Sequence, residues 1–275
     1  LRDALLPRLS AVLRSLPLLL LAGVLSLPVL ALLGAWLPWG EGGASAWAVL
    51  REMASTVLPG YLGTTLWLCL WVGLGAAVVG SAAAAAVTLF DFPGRRAFEW
   101  LLLLPLAMPA YVTAYAYTDF LQFSGPLQVG LRAAFGWEGH LLPEVRSLWG
   151  AVLVFVMSLY PYVYLLARSA FMSQGRRVLE AAQTLGLSAR AAAWRVALPM
   201  ARPWIAAGVS LVAMETLADF GTVAVFNYNT FTKAIYSAWF GMFSVGAALE
   251  LAAFLMLFVL AALWLERRSR TRVRY

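Results

Sequence analysis

Apolar residues in this chain come in runs of about 20, the length that crosses the roughly 30 Å hydrocarbon core of a bilayer as a helix. Backbone groups in hydrocarbon must bond within their own segment, so runs of this length point to α-helices. Six of them lie at roughly 16–37, 62–88, 99–121, 148–170, 204–225 and 242–265. They predict an all-α membrane protein of six transmembrane helices, one domain over residues 1–275. Composition agrees: 63% of residues are apolar, mean hydropathy is +0.81 and only 12% are charged, about half the roughly 25% of a soluble domain.

The loops carry an asymmetric charge. With the N-terminus in the cytoplasm, sixteen of the twenty basic side chains fall on the inner side, and only Arg51, Arg132, Arg146 and Lys233 fall outside. The positive-inside rule therefore supports an even number of spans with both termini cytoplasmic, in a bilayer that is itself a partner. A net charge of +7 on a soluble protein would suggest nucleic acid. Here the arginines sit between spans and set orientation, so no nucleic acid is expected. Trp36, Trp39, Trp149 and Trp239 fall near the outer interface, and Trp100, Trp204 and Trp264 near the inner one, as amphipathic rings prefer.

The chain starts at Leu1, which points to a fragment or a processed product. The first run could be a signal peptide cut near "ASA" at 44–46, but Leu16 to Leu37 exceeds the usual h-region of about 7–15 residues, so a first transmembrane helix is favoured. In the second run Ala76, Gly80 and Ala84 share one helix face and invite close approach of another helix. In the third, Pro105 and Pro109 should kink the span. The loop "FSGPLQVGLRAAFGWEGHLLPEVRS" has an amphipathic first half, and His140 within it is expected to be solvated.

Residue types exclude several chemistries. A Walker A loop needs Gly-Lys-[Ser/Thr], and the only lysine, Lys233, follows Thr232. A zinc-protease helix needs two histidines four apart, and His140 is the only one. Cys69 is the only cysteine, so a Cys-x-x-Cys metal site is impossible and packing is its expected role. No catalytic residue, metal or bound cofactor is expected.

One polar stretch interrupts this pattern: "EAAQTLGLSARAAAWRVALPMARP", within a basic segment at 174–203 on the inner side. A short helix is expected over 177–185, ended by Gly186, which accepts the left-handed C′ position. Ser188 suits the N-cap of a second short helix over 189–198, and Pro199 and Pro203 should stop it and restart the fifth span. On pattern alone this is either an ordinary helical hairpin or a docking knob.

The spacing of Glu180, Ala181, Ala182, Gly186, Leu198 and Pro199 resembles the EAA motif of permease subunits in binding-protein-dependent ATP-binding-cassette (ABC) importers. "DFPGRRAFEWLLLLPLAMPAYVTAYAYTDFLQFSGPLQ" and "METLADFGTVAVF…FTKAIYSAWFGM" look like the iron(III)-type permeases, in which two such halves are commonly fused, and this chain resembles the first half. The resemblance implies a type I importer transmembrane domain in the prokaryotic inner membrane, whose six motif residues form coupling helices that dock into an ATPase subunit. It further implies an extracytoplasmic substrate-binding protein and a second permease half or copy as partners. ATP and magnesium would belong to the ATPase subunits. The implied substrate is ferric iron, with thiamine and polyamine importers as relatives.

Glu215 and Asp219 in the fifth span are four apart and should share a helix face. At about 1.5 Å per residue, Glu215 lies roughly 16 Å beyond Trp204, near mid-membrane, where a carboxylate costs about 2.5–3.5 kcal/mol and must face protein or water. They either line a translocation route or bond a neighbouring helix. The same pair underlies a reading of another class, a channel or ion-coupled carrier. Tyr111, Tyr115 and Asp119 in the third span offer hard oxygen atoms suited to a hard cation, although tyrosines near an interface are also ordinary belt residues. Glu250 in the sixth span is a candidate for an interhelical bond.

Overall fold

The structure, a computed structural model, describes residues 2–34, 48, 51–136, 138–140 and 142–271. No strand occurs among them. The helices are α1 (Arg2–Gly34), α2 (Leu58–Leu89), α3 (Arg95–Leu101), α4 (Ala110–Leu121), α5 (Pro126–Phe135), α6 (Leu148–Thr184), α7 (Ala189–Ala192), α8 (Leu198–Ala218), α9 (Gly221–Val225), α10 (Phe231–Tyr236) and α11 (Val245–Thr271). Contacts divide the chain into one unit of Leu1–Thr56 with Ile235–Leu260 and another of Val57–Ala234 with Ala261–Tyr275.

Four described helices are long and apolar enough to cross a membrane: Leu16–Gly34, Leu58–Leu89, Leu148–Ser173 and Arg190–Ala218. The third expected span is more than kinked. Arg95–Ala107 and Ala110–Phe135 meet at 98°. Pro109 forces Met108 into extended backbone (φ −115°, ψ 130°), as proline does to the residue before it. Pro105 opens a 3-10 turn over Leu104–Ala107, since it has no N–H for an α-helical bond. The bent pair makes a fifth candidate span, and Val245–Ala261 is a shorter apolar helix. That last helix starts three residues later than expected, because Phe243 takes a left-handed φ of 52° and Ser244 caps the new helix, its Oγ accepting the Ala247 N–H at 3.3 Å.

The core of the larger unit is α2, α6 and α8. Ala76, Gly80 and Ala84 are all buried, the face expected to admit a neighbour. A Cβ on Gly80 would stand 2.7 Å from both the Tyr160 carbonyl oxygen and the Val163 Cβ, and one on Gly208 would stand 2.7 Å from the Val163 Cα. Val163 of α6 is thus seated between a glycine of α2 and a glycine of α8. α2 and α8 each approach α6 with no side chain of their own at the contact, the close packing that replaces hydrophobic drive inside a bilayer. Tyr160, Tyr164 and Phe155 of α6 fill the rest of this core. The Tyr160 hydroxyl donates to the Leu102 carbonyl at 2.9 Å and the Tyr164 hydroxyl to the Glu99 carbonyl at 3.1 Å, tying down the region of the proline break.

Two boundaries in the polar segment depart from the sequence reading. Residues 177–184 are no separate helix but the end of α6, which runs for 37 residues. At about 1.5 Å per residue it is roughly 55 Å long, well beyond a bilayer core of about 30 Å. Nor do the prolines interrupt the next element. Ala193–Ala197 forms a π-helical turn that carries α7 straight into α8. The Leu198 N–H reaches back to the Ala193 carbonyl. The widened turn suits Pro199, which has no N–H to give Arg195 and whose ring crowds that carbonyl in a regular α-helix.

Candidate functional site

The polar segment closes on itself at Gly186. Its φ is +91°, a region that costs any residue with a Cβ. The Leu187 N–H donates to the Ala182 carbonyl at 3.1 Å, and the Gly186 N–H to the Gln183 carbonyl at 2.9 Å. Together they form a Schellman cap that satisfies the last carbonyls of α6. Ser188 starts the next helix as expected, its Oγ accepting the Ala191 N–H at 3.3 Å. A glycine stop and a serine start two residues apart reverse the chain with nearly every local bond made, so the turn is rigid.

The motif residues divide by exposure. Glu180, Ala181 and Gly186 are exposed, Ala182 is buried, and Leu198 and Pro199 are partly buried. Ala192 and Ala197 are also buried, and the π turn and α7 both pack on α6. Alanine at 182, 192 and 197 lets the returning helix lie against the outgoing one. The tip is left bare, with Leu185 86% exposed; further along the returning helix Trp194 is 72% exposed. Such apolar side chains, at a rigid turn and on the helix after it, form a surface suited to another protein.

The acids of the fifth span do not share a helix face. α8 ends at Ala218, and Asp219 is extended at φ −72°, ψ 129°. Its Oδ1 accepts the Thr222 N–H at 2.7 Å and its Oδ2 the Thr222 hydroxyl at 3.0 Å. The Asp219 carbonyl accepts the Thr232 hydroxyl at 3.0 Å. Asp219 therefore caps α9 and anchors the strand-free return to α10. Glu215 stays on α8, exposed, and interacts with the Tyr162 hydroxyl of α6.

Tyr111, Tyr115 and Asp119 are exposed along α4. Asp119 Oδ1 accepts from Gln122 Nε2 at 3.2 Å. A Cβ on Gly221 would stand 2.9 Å from the Tyr111 Cβ, so Tyr111 lies against the start of α9, two residues beyond Asp219. No group of three or more metal-ligating side chains occurs among the described residues. Glu250 is buried, and its Oε2 has no hydrogen-bond partner among the described residues.

Two polar clusters were missed by sequence reasoning. Glu99 pairs with Arg168 at 2.9 Å and with Arg95 at 3.5 Å, and Arg95 pairs with Asp91 at 2.6 Å. This chain of charges pins α3 to α6. The alternation of Asp91, Arg95 and Glu99 at spacing four was its visible signal; Arg168, about 70 residues away, had none. His140 is exposed, as expected, and its ring lies 4.5 Å from Phe123, on which the Arg132 guanidinium also rests at 3.9 Å. Phe123 and His140 border a cavity of about 500 Å³ with Thr118, Gln122 and Arg146 among its lining residues.

Residues 76–275 match the family model for the binding-protein-dependent transport system inner membrane component. The Fe(3+)-transport system permease protein FbpB 2 of Haemophilus influenzae is 28% identical over 195 residues, 71% of this chain and 34% of that protein. The sulfate transport system permease protein CysW of Escherichia coli is 34% identical over 165 residues, 58% of this chain and 54% of that protein. The chain thus spans about a third and about half of the lengths of these two relatives. A solved bacterial ABC transporter involved in import of the acidic polysaccharide alginate superposes with a TM-score of 0.74 at 16% identity, covering 99% of this chain and 100% of that one, and so shares its fold. The chain belongs to the family of binding-protein-dependent transport system inner membrane components.

Proposed function

We propose that this chain is the permease half of an ATP-driven importer, catalysing no reaction itself. It spans the prokaryotic inner membrane six times with both termini in the cytoplasm. It takes substrate from an extracytoplasmic binding protein, works beside a second permease half or copy, and is driven by ATPase subunits that dock on the segment 174–203. The observation that carries this reading is the rigid reversal at Gly186, with Glu180 and Ala181 exposed beside it. A rigid turn on an α6 that extends past the bilayer can transmit a push; a flexible loop cannot. Gly186→Asp in reconstituted vesicles should keep most ATP hydrolysis and lose most transport. Normal transport by that variant would remove the coupling role.

Ferric iron is the leading substrate, supported by the iron(III)-type stretches at 91–128 and 214–242 and by the similarity to an iron permease. Sulfate is the second reading, since a sulfate permease is also similar. Glu215, with Tyr111, Tyr115, Asp119 and Asp219, is proposed to border the route, where exposed carboxylates and phenols pass a hard cation through weak contacts. Uptake of labelled ferric iron against labelled sulfate, each supplied with its binding protein, separates the two: energised uptake of iron alone is expected, and uptake of sulfate alone overturns the iron assignment. A channel or carrier would move solute with no ATPase subunit present.

A further inference from the structure

No residue of α3 is buried, so side-chain packing does little to fix this helix. A ladder of polar contacts holds it to α6 instead. Tyr160, Tyr164 and Arg168 are spaced by four along α6 and share one face. Tyr160 donates to the Leu102 carbonyl, Tyr164 to the Glu99 carbonyl and Arg168 to the Glu99 carboxylate. One turn of α6 thus grips Glu99 twice, at its backbone and at its side chain.

Pro161 lies inside α6. It has no N–H to give the Met157 carbonyl, so the helix yields most readily there. Both contacts to Glu99 come from the docking side of Pro161, and Tyr160 lies on the other side. From Arg168 to Thr184 no further proline interrupts α6, and that stretch of roughly 24 Å leads directly to the reversal at Gly186. In the other direction α3 leads through the turn at Pro105 to the 98° break and then to α4, which carries Tyr111, Tyr115 and Asp119. The Arg168–Glu99 link is a single bond of 2.9 Å, and Arg168 Nε has no partner among the described residues. The two side chains are 28% and 23% exposed, and a pair that water reaches adds little to stability.

We propose that Glu99 and Arg168 are positioning residues for transport. Their pair makes α3 follow the docking half of α6, so that movement imposed at the reversal reaches the broken span bordering the route. Coupling of this kind travels through rigid elements joined by bonded side chains. Neither residue touches substrate, and their role rests on the importer reading above. Arg95 supplies the internal comparison. Its Nε meets the same carboxylate at 3.5 Å, but from within α3, so its loss cuts no link between the two helices.

The test is the amount of labelled ferric iron, or of labelled sulfate if only that is carried, moved per ATP hydrolysed. It is measured in vesicles holding the intact assembly, with its binding protein supplied. Glu99→Gln and Arg168→Gln should each lower that ratio roughly fivefold or more, with melting temperature and basal hydrolysis close to those of the native assembly. Arg168→Lys keeps a cation for the single bond and should recover most of the ratio. Arg95→Gln removes an equal charge from beside the same carboxylate and should leave the ratio unchanged. A native ratio in both glutamine variants, or an equal loss in Arg95→Gln, overturns the role. So does failure of both glutamine variants to assemble, which would make the pair structural. Transport that is lost in Gly186→Asp yet native in both glutamine variants sinks the pair alone. A native assembly with no ATP-driven transport sinks the importer reading, and the role of the pair with it.

Discussion

At the scale of single residues, the structure rests on a few positions where backbone conformation leaves little choice. Gly186 at φ +91° accepts alanine only at a cost of about 1–2 kcal/mol. Its part in stopping α6 was legible in the sequence, as was Ser188 starting the next helix, because both follow local rules that act over two or three residues. Asp219 was not legible. Four residues after Glu215 it fits a helix face, and only the tertiary return through Thr222 and Thr232 turns it into a cap. The two acids should therefore separate in experiment. Asp219→Ala should destabilise the assembly by about 0.5–2 kcal/mol, whereas Asp219→Asn keeps an acceptor and most of the stability. Glu215→Gln should leave thermal stability unchanged and reduce uptake. Melting temperatures and uptake of the three variants check this, and a stable Asp219→Ala protein would remove the cap role.

Among elements, apolar run length located most helices, while their interruptions depended on chemistry the runs conceal. The proline pair at 105 and 109 was visible, but a 98° break needs more than two missing donors. It is held by α6, through the tyrosine hydroxyls at Leu102 and Glu99 and the Glu99–Arg168 pair, contacts that no local pattern reveals. The continuity of α6 into the polar segment was hidden because residues 174–184 change composition without changing conformation. The glycine contacts make a sharper prediction. Gly80→Leu and Gly208→Leu each drive a side chain into Val163, and such overpacking typically costs about 1–3 kcal/mol. Gly63→Leu on the same α2, where a Cβ meets nothing within 4 Å, should be tolerated. Detergent-resistant folding, followed by size-exclusion profile and melting temperature, distinguishes the three.

For the whole molecule, the all-helical fold and the family agree with the reading from apolar runs and from the spacing around Gly186. The surface carries a bare Leu185 at the reversal, an exposed Trp194 on the helix that returns from it, and apolar side chains along the spans. The central claim is that an ATPase subunit grips that tip. The most direct measurement is site-directed cross-linking from Leu185→Cys, with the one native cysteine, Cys69, replaced by alanine, in the assembly purified from its own membrane. The account predicts a cross-linked product containing an ATP-binding-cassette subunit, formed efficiently at Leu185→Cys and lost with Gly186→Asp. An ATPase subunit that co-purifies yet never cross-links there, or an active assembly with no ATPase subunit, would contradict it.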